Sequence, residues 1–216
     1  MLIDIHTHTY PTSDDSNLTP EDLISEAKKV GLDGICITDH DGFWNPRDIE
    51  KIGIDNDFLV LPGCEVTTEE GHLLVYGLDK YIFGMHKSAF VKELVAESQG
   101  AIVVAHPYRR VYRASDSLST QAYKDLLKKT SAEPVFENIS AVEVRNGRGS
   151  SKENAFSQRL AVELDLPGTG ASDAHQISDV GTFATLFEDK ISDLEDLIAA
   201  LTTGKYRAVD LRLEHK

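Results

Sequence analysis

Leu2-Ile3-Asp4-Ile5-His6-Thr7-His8 is a short apolar run near the start of the chain that ends in two histidines. An apolar run of this length is typical of a buried strand. His6 and His8 are two positions apart, so on a strand their side chains point to the same side. The stretch therefore predicts a strand that carries a pair of imidazoles at its carboxyl end.

Further along the chain, similar apolar runs alternate with helical patterns. The predicted strands are 2–5, 34–38, 58–65, 72–78, 101–105, 139–144 and 168–172. The predicted helices are 20–30, 87–98, 121–129, 152–163 and 193–202, the last capped by Ser192 and ended by Gly204. Such alternation is typical of β/α units around a parallel sheet. About seven strand positions favour a barrel over an open sheet.

The composition indicates one globular domain, which we expect to span residues 1–216. With 22 Lys and Arg against 36 Asp and Glu, the formal net charge is −14. A surface of this sign repels phosphate backbones and anionic lipids, so we expect no extended nucleic-acid surface and no membrane binding. Cys36 and Cys64 both lie in apolar runs, and we expect two buried thiols and a cytoplasmic location.

Potential metal ligands lie at or near the ends of these predicted strands: His6, His8, Asp39, His40, Glu65, His72, His106, Asp173 and His175. In β/α barrels the carboxyl ends of the strands form the active site. Imidazole and carboxylate together suit Zn, Mn or Fe. One His-x-His pair would be weak support, because histidines and acids often only hydrogen-bond. Their recurrence at successive strand ends predicts a metal site.

The chain resembles the PHP family, named for polymerase and histidinol phosphatase domains. The resembling segments are Asp4-Ile5-His6-Thr7-His8-Thr9, Ser13-Asp14-Asp15-Ser16, Ile37-Thr38-Asp39-His40-Asp41, Pro62-Gly63-Cys64-Glu65, Gly71-His72-Leu73-Leu74, Ala105-His106-Pro107-Tyr108-Arg109 and Gly170-Ala171-Ser172-Asp173-Ala174-His175. The resemblance implies an α/β fold, a distorted (β/α)7 TIM-like barrel, with two or three divalent metals (Zn, Mn or Fe) in a trinuclear site.

The resemblance also implies which residues hold each metal: His6, His8, Glu65 and Asp173 for the first, Glu65 as a bridge with His72 and His106 for the second, and Asp15, His40 and His175 for the third. The loop after His8 is one residue longer than the commonest spacing in the family, so Asp14 and Asp15 compete for the loop position. We prefer Asp15 because it keeps the spacing to Leu18. For His72 the alternative is a strand histidine paired with a backbone group.

A site of this kind predicts a phosphoesterase in which a metal-bridged hydroxide attacks phosphorus while the third metal stabilises the developing charge. Asp39 is expected to orient a ligand imidazole or to carry a proton, and a cap or salt bridge is the alternative. Two arginine groups are candidates for phosphate binding: Arg109, Arg110 and Arg113 after His106, and Arg145 and Arg148 after Val144. Each could instead pair with surface acids, and Arg109 is the one that we prefer.

The expected substrate is a small phosphorylated metabolite, a nucleotide or an oligonucleotide end. One alternative is a histidinol-phosphate phosphatase. Another is a non-catalytic metal-binding accessory module, which the intact ligand set disfavours. The sequence does not indicate the oligomeric state.

Overall fold

The computed structural model describes residues 1–112 and 119–214. In these residues ten strands form two five-stranded sheets. The strands are β1 (Leu2–Thr7), β2 (Gly34–Ile37), β3 (Leu59–Pro62), β4 (Cys64–Thr68), β5 (Gly71–Tyr76), β6 (Ala101–Val104), β7 (Ala141–Asn146), β8 (Gly168–Ala171), β9 (Phe183–Phe187) and β10 (Tyr206–Asp210). The helices are α1 (Pro20–Lys29), α2 (Pro46–Asn56), α3 (Ser88–Glu97), α4 (Tyr108–Val111), α5 (Thr120–Ser131), α6 (Ser151–Leu164), α7 (Leu194–Thr203) and α8 (Leu211–Glu214).

Both sheets contain parallel and antiparallel strands. The first sheet has the order β10-β9-β1-β2-β3, and the second has the order β4-β5-β6-β7-β8. Strands β1, β2 and β3 run parallel, as do β6, β7 and β8. Strand β9 is antiparallel to both of its neighbours, and so is β5. The carboxyl ends of the parallel strands therefore gather at one edge of each sheet.

The prediction of an α/β fold is confirmed, but the prediction of a parallel sheet closed into a barrel is not: the described strands form two sheets of mixed direction and not one closed barrel. The predicted strand 58–65 is in fact two strands in different sheets, β3 and β4, with Gly63 between them. A Cβ atom at Gly63 would lie 2.8 Å from Cγ2 of Thr38 and 2.9 Å from the ring of Tyr76. The chain can pass from one sheet to the other here because glycine allows this close approach.

Helix α2 and strands β9 and β10 were not predicted. Helix α2 has clear start signals, since Asn45 accepts a hydrogen bond from the backbone nitrogen of Arg47 at 2.9 Å and Pro46 is its first residue. Ile49 is its one fully buried side chain, so its apolar periodicity is weak. The cap predicted at Ser192 was also wrong, because the Asp193 side chain caps α7.

The core lies between the sheets and the helices that cover them. Leu23, Ile24 and Ala27 form the buried face of α1, as the helical pattern requires. Cys36 and Cys64 are buried and unpaired, in agreement with the prediction of two buried thiols. Among the described residues, no helix combines the length and the apolar character that a membrane span requires.

Candidate metal centre

The two sheets meet at the strand ends that carry the predicted ligands. An isolated bridge joins Thr7 at the end of β1 to Ala174 just after β8. A second bridge joins His40, which follows β2, to Glu65 in β4. These bridges bring loops from both sheets to one place, and the candidate ligands are the residues at and beside them.

Glu65 lies at the centre of this cluster and is fully buried. Its Oε1 atom is 2.8 Å from Nδ1 of His72 and 2.8 Å from Nε2 of His106. The distances from its Oε2 atom to imidazole nitrogens are 2.9 Å for His40, 3.2 Å for His8 and 3.4 Å for His6. One carboxylate thus contacts five imidazoles, which is the arrangement expected of a bridging ligand.

His6 and His8 point to the same side of β1, as the sequence predicted. Their Nε2 atoms lie 3.0 Å apart. The Oδ1 atom of Asp173 is 3.6 Å from Nε2 of His6 and 3.4 Å from Nε2 of His8. Donors placed tetrahedrally around a zinc ion at about 2.0–2.1 Å are separated by roughly 3.3 Å, so these three atoms have the spacing of a ligand set.

His40 and His175 form the outer side of the cluster, next to the loop that follows β1. The Oδ2 atom of Asp15 lies 3.1 Å from Nε2 of His175 and 3.5 Å from Nε2 of His40. Its side chain is half exposed at 50%. Among the described residues Asp14 shows no such contact, so Asp15 is the loop acid that faces these imidazoles.

The donor atoms fit divalent metals. In the described part of the chain, Glu65 Oε2, Asp173 Oδ1 and His175 Nε2 are buried and form no hydrogen bond, although other candidate ligand atoms lie close to each of them. A buried polar atom without a partner costs about 1–3 kcal/mol, which coordination to a cation would offset. Four groups of three have donor atoms within 4.8 Å of one another: His8, His40 and His175; His6, His106 and Asp173; His6, His8 and Glu65; and His40, Glu65 and His72.

The charges at the site stabilise one another. Burial alone would raise the pKa of Glu65, but the adjacent imidazoles of His6, His106 and His40 hold that pKa well below its usual range. Likewise burial opposes ionisation of Asp173, while His6, His8 and Arg109 keep its pKa well below normal. Burial would lower the pKa of His6, yet nearby carboxylates, Asp173 foremost, raise it well above normal. The carboxylates are therefore ionised and ready to bind a cation.

Two candidate ligands have an unusual backbone conformation. His106 has φ of 26° and Asp173 has φ of 54°, in the left-handed region that residues other than glycine seldom adopt. Residues held in this region cluster at functional sites, where the surrounding structure determines them. Each lies two residues after the end of a strand, β6 or β8, and both direct polar atoms into the cluster.

Glu143 and Asn146 were missed by the sequence analysis. Glu143 in β7 is fully buried, and its Oε1 atom accepts a hydrogen bond from Nδ1 of His6 at 2.9 Å. Its Oε2 atom accepts from the backbone nitrogen of His106 at 2.7 Å and from the side chain of Asn146 at 3.0 Å. The Asn146 amide also donates to Asp173 at 3.1 Å. The one sequence signal for Glu143 is an acid between two valines in a predicted strand, and with no histidine beside it this signal does not indicate a metal site.

Asp39 is buried beside the cluster and contacts no candidate ligand side chain directly among the described residues. Its two oxygens accept hydrogen bonds from Thr9, Ser13 and Trp44. The hydroxyl of Ser13 donates to Asp39 at 2.8 Å and lies 3.2 Å from Nδ1 of His8. Because the Ser13 hydroxyl donates its proton to Asp39, its oxygen can only accept a hydrogen bond from Nδ1 of His8. A neutral His8 then carries its proton on Nδ1 and leaves Nε2 free. The contacts therefore support the predicted orienting role of Asp39, exerted through Ser13.

The predicted arginines have different surroundings. Arg109 donates to Oδ2 of Asp173, and its Nη1 atom lies 3.0 Å from Nε2 of His106, so it lies at the cluster. Arg148 is near enough to His175 to contribute to the lowered pKa of that imidazole, after burial and His8. Arg145 donates to Gln158 of α6 instead, at 2.8 Å. The position of the Arg110 side chain is not described, and Arg113 lies outside the described residues.

Comparison with known proteins gives several relatives of similar length. A protein of Methanocaldococcus jannaschii is 30% identical over 221 residues, which cover 94% of this chain and 91% of that protein. A protein of Thermoanaerobacter sp. named a probable phosphatase is 28% identical over 240 residues, 96% of this chain and 93% of its own. A Thermotoga maritima protein named a probable histidinol-phosphatase is 28% identical over 94 residues, 40% of each chain.

Solved structures with the same fold include a two-domain protein from Bacteroides vulgatus that contains a predicted PHP-like metal-dependent phosphoesterase. It has a TM-score of 0.67 at 17% identity and covers 97% of this chain and 64% of its own. An amidohydrolase from Chromobacterium violaceum with bound sulfate has a TM-score of 0.62 at 16% identity and covers 99% of both chains. At this identity the likeness concerns the fold alone.

Two family models match successive segments of the chain, and both segments contain candidate ligands. Residues 4–148 match the PHP domain, and residues 151–206 match the PHP-associated segment. The first match contains the candidate ligands from His6 to His106, and the second contains Asp173 and His175. With about two thirds of its residues in the first match, the chain belongs to the PHP domain family.

Proposed function

We propose that this protein is a metal-dependent phosphoesterase that hydrolyses small phosphate esters at a trinuclear metal centre. The observation that carries the proposal is the convergence of five imidazoles on the buried carboxylate of Glu65. The buried, unpartnered ligand atoms of Asp173 and His175 add to it. The family and the relative named a probable phosphatase point to the same reaction class.

In this proposal, nine residues hold two or three divalent ions of Zn, Mn or Fe: His6, His8, Asp15, His40, Glu65, His72, His106, Asp173 and His175. The mixture of imidazole and carboxylate suits these metals better than Mg or Ca. Asp15 is half exposed and belongs to none of the four groups of three donors described above. The metal that Asp15 would bind is therefore expected to exchange most easily.

The metals would supply Lewis acidity for the phosphoryl oxygens and would lower the pKa of water for in-line attack. The residues of the chain hold the donors in place. Glu143 fixes the proton of His6 on Nδ1, and Asp39 acts on His8 through Ser13. Arg109 is the cation that can turn from Asp173 towards a phosphate, because its side chain is 35% exposed.

We also propose that residues 1–216 form one domain with the distorted (β/α)7 arrangement of its family. Strand β8 belongs to the PHP-associated segment, yet it pairs with β7 in the second sheet. The ligands Asp173 and His175 follow β8, so the proposed centre needs both matched segments. The bridge between Thr7 and Ala174 is where the two sheets would complete the distorted barrel.

Histidinol phosphate is the second candidate substrate, and the partial match to the Thermotoga maritima protein favours it. A screen of phosphorylated metabolites, nucleotides and short oligonucleotides, with Mn, Zn and Fe added in turn, would test both candidates. We expect hydrolysis of small monoesters together with two or three bound metals per chain by elemental analysis. Less than one metal equivalent in carefully loaded protein would contradict the proposal. Full metal content without turnover of any ester would instead indicate a non-catalytic module.

A further inference from the structure

An open groove lies beside β3, at the edge of the first sheet, between α2 and the start of α7. Its volume is about 780 Å³, and none of the nine proposed metal ligands lines it. Its apolar lining includes Ile49, Ile54, Phe58, Leu59, Leu61 and Leu194. Ile54 is 72% exposed, so part of this apolar surface faces water. The groove is therefore an apolar surface that the described part of the chain leaves uncovered.

The groove is acidic as well as apolar. Its lining includes Asp33, Glu50, Asp57 and Asp193, and no Lys, Arg or His. A second open groove of about 540 Å³, between the loops before β6, β7 and β8 and the end of α7, is lined by no charged residue. The acids are therefore a feature of the first groove and not only a consequence of the net charge of −14. Such a groove fits an apolar group with cations beside it.

The segment between β5 and α3 (residues 77–87, the β5–α3 turn) presents a group of this kind on the same chain. Phe83 is 91% exposed, more than any other large apolar side chain of the described residues. Lys80 and Lys87 lie on either side of it in sequence; both are exposed, and neither forms an ion pair among the described residues. Asp79 is the one acid of the turn. The turn thus combines an exposed aromatic ring with a charge opposite to that of the groove.

The β5–α3 turn is held in place by its own contacts. Met85 is fully buried in the core, and its backbone nitrogen donates to the carbonyl of Ile82 at 3.1 Å. The carbonyl of His86 accepts a hydrogen bond from the backbone nitrogen of Glu69 at 2.8 Å. A phenylalanine that an ordered turn holds in water keeps its apolar surface exposed, at a cost that contact with a partner would remove. Preorganised aromatic side chains are common anchors of protein interfaces.

We propose that two copies of this chain form a dimer in which each copy inserts Phe83 of its β5–α3 turn into the groove of the other. Both complementary surfaces lie on one chain, so a two-fold axis gives two identical contacts. In each contact Lys80 and Lys87 face the acids of the groove, and this attraction acts against the repulsion between two chains of charge −14. Two grooves placed against each other would bring acids together, so the charges favour the reciprocal arrangement.

Sedimentation velocity on the full chain, over a dilution series, tests this inference. We expect a dimer, and we expect Phe83→Ser in the turn and Ile54→Ser in the groove each to raise its dissociation constant about tenfold or more, because each removes an apolar anchor. Val162→Ser is the matched control, since Val162 is 68% exposed on α6 and lies in neither surface. Circular dichroism should show an unchanged fold in all three variants, because the three side chains are exposed. A chain that stays monomeric, whatever else its groove binds, would overturn the inference, and so would a dimer that either variant leaves intact.

A mixture of the two variants tests whether the contacts are reciprocal. A Phe83→Ser chain keeps an intact groove and an Ile54→Ser chain keeps an intact turn, so their heterodimer has one complete contact. At the other contact Ile54 has already lost its partner Phe83, so the second substitution costs little. We therefore expect the mixture to associate more tightly than either variant alone. Equal or weaker association in the mixture would overturn the reciprocal insertion.

Charge reversal tests the pairing of the lysines with the groove. Lys80→Glu combined with Lys87→Glu should weaken the dimer, because the turn would then carry carboxylates into an acidic groove. Lys124→Glu combined with Lys128→Glu on α5 is the matched control, since it gives the chain the same net charge at exposed positions away from the turn. No loss of association in the first double variant, or an equal loss in both, would overturn the pairing of the turn with the groove.

Discussion

The Nδ1 atom of His6 donates to Oε1 of Glu143 across 2.9 Å, although the two residues are 137 positions apart. A carboxylate only accepts hydrogen bonds, so in the neutral imidazole that binds a metal this contact places the single proton of His6 on Nδ1 and leaves Nε2 as the ligand atom. The other oxygen of Glu143 holds the backbone of His106, whose conformation is strained. One buried acid thus positions ligands from β1 and from the loop after β6.

Glu143→Gln should weaken metal binding without unfolding the protein. The amide keeps the shape of the carboxylate, but its NH2 group would face either the Nδ1 proton of His6 or the backbone nitrogen of His106, which is a donor against a donor. Loss of such an orienting partner typically costs about 10–100-fold in metal affinity. Competition with a fluorescent chelator would measure the change.

The matched control for this prediction is Glu163→Gln, because Glu163 is an exposed acid on α6. Its metal affinity should equal that of the unmodified protein. An unchanged affinity in Glu143→Gln would show that the contact between His6 and Glu143 does not hold the imidazole for metal binding.

The motifs at strand ends could be predicted because they combine two local signals, an apolar run and a polar ligand directly after it. Glu143 could not, because its partners lie in other strands and its neighbours in sequence are apolar. Strands β9 and β10 were not predicted because they join the first sheet through antiparallel pairing, outside the β/α alternation on which the prediction was based. The division of the predicted strand 58–65 at Gly63 was not predicted because a continuous apolar run does not show where the chain passes from one sheet to the other.

Removal of the metals should make the stability of the protein fall as the pH rises above neutral. Nearby carboxylates raise the pKa of His6 in the folded chain above the ordinary value of 6.5. Protonation of His6 therefore stabilises the metal-free fold fully below pH 6.5, and this contribution is lost as the pH rises through the raised pKa. Thermal denaturation of chelator-treated protein between pH 6 and pH 9 would measure the loss.

Glu65 and Asp173 have the opposite dependence in the same metal-free protein. Their pKa values are lowered, so their ionised forms stabilise the fold above the ordinary values of 4.5 and 3.8, and this contribution is lost at more acidic pH. His6→Gln should flatten the alkaline fall and also weaken the acidic one, because His6 is the first of the groups that lower the pKa values of Glu65 and Asp173. If this variant lost as much stability at alkaline pH as the unmodified protein, a group other than His6 would be the cause.

His8→Ala and Asp173→Ala should abolish hydrolysis of a generic phosphate ester, with the fold retained. Both residues are buried at strand ends, and each faces the other ligands and not the apolar core. Circular dichroism would verify the fold, and elemental analysis would show fewer bound metals. Activity within tenfold of the unmodified protein, with all metals retained, would exclude these two residues as ligands.

Arg109→Ala should reduce kcat/KM for phosphate monoesters by roughly 10–100-fold, which corresponds to about 1–3 kcal/mol for a charge-assisted hydrogen bond. In the described structure the guanidinium is held by Asp173 and His106, the residues that the metals would engage. Metal binding would therefore free Arg109 to turn towards the phosphate of a substrate.

The competing interpretation is that Arg109 serves only as a partner of Asp173. Its side chain is 35% exposed, so solvent screening limits the stability that this ion pair contributes to about 0–1 kcal/mol. The two interpretations therefore separate by measurement: a phosphate-binding role lowers kcat/KM and barely moves the Tm, whereas a structural role moves the Tm alone. Arg145→Ala provides the matched control, because Arg145 donates to Gln158 away from the centre and its loss should leave kcat/KM unchanged. If Arg109→Ala keeps its efficiency, Arg148, whose charge acts on His175, becomes the residue to test for phosphate binding.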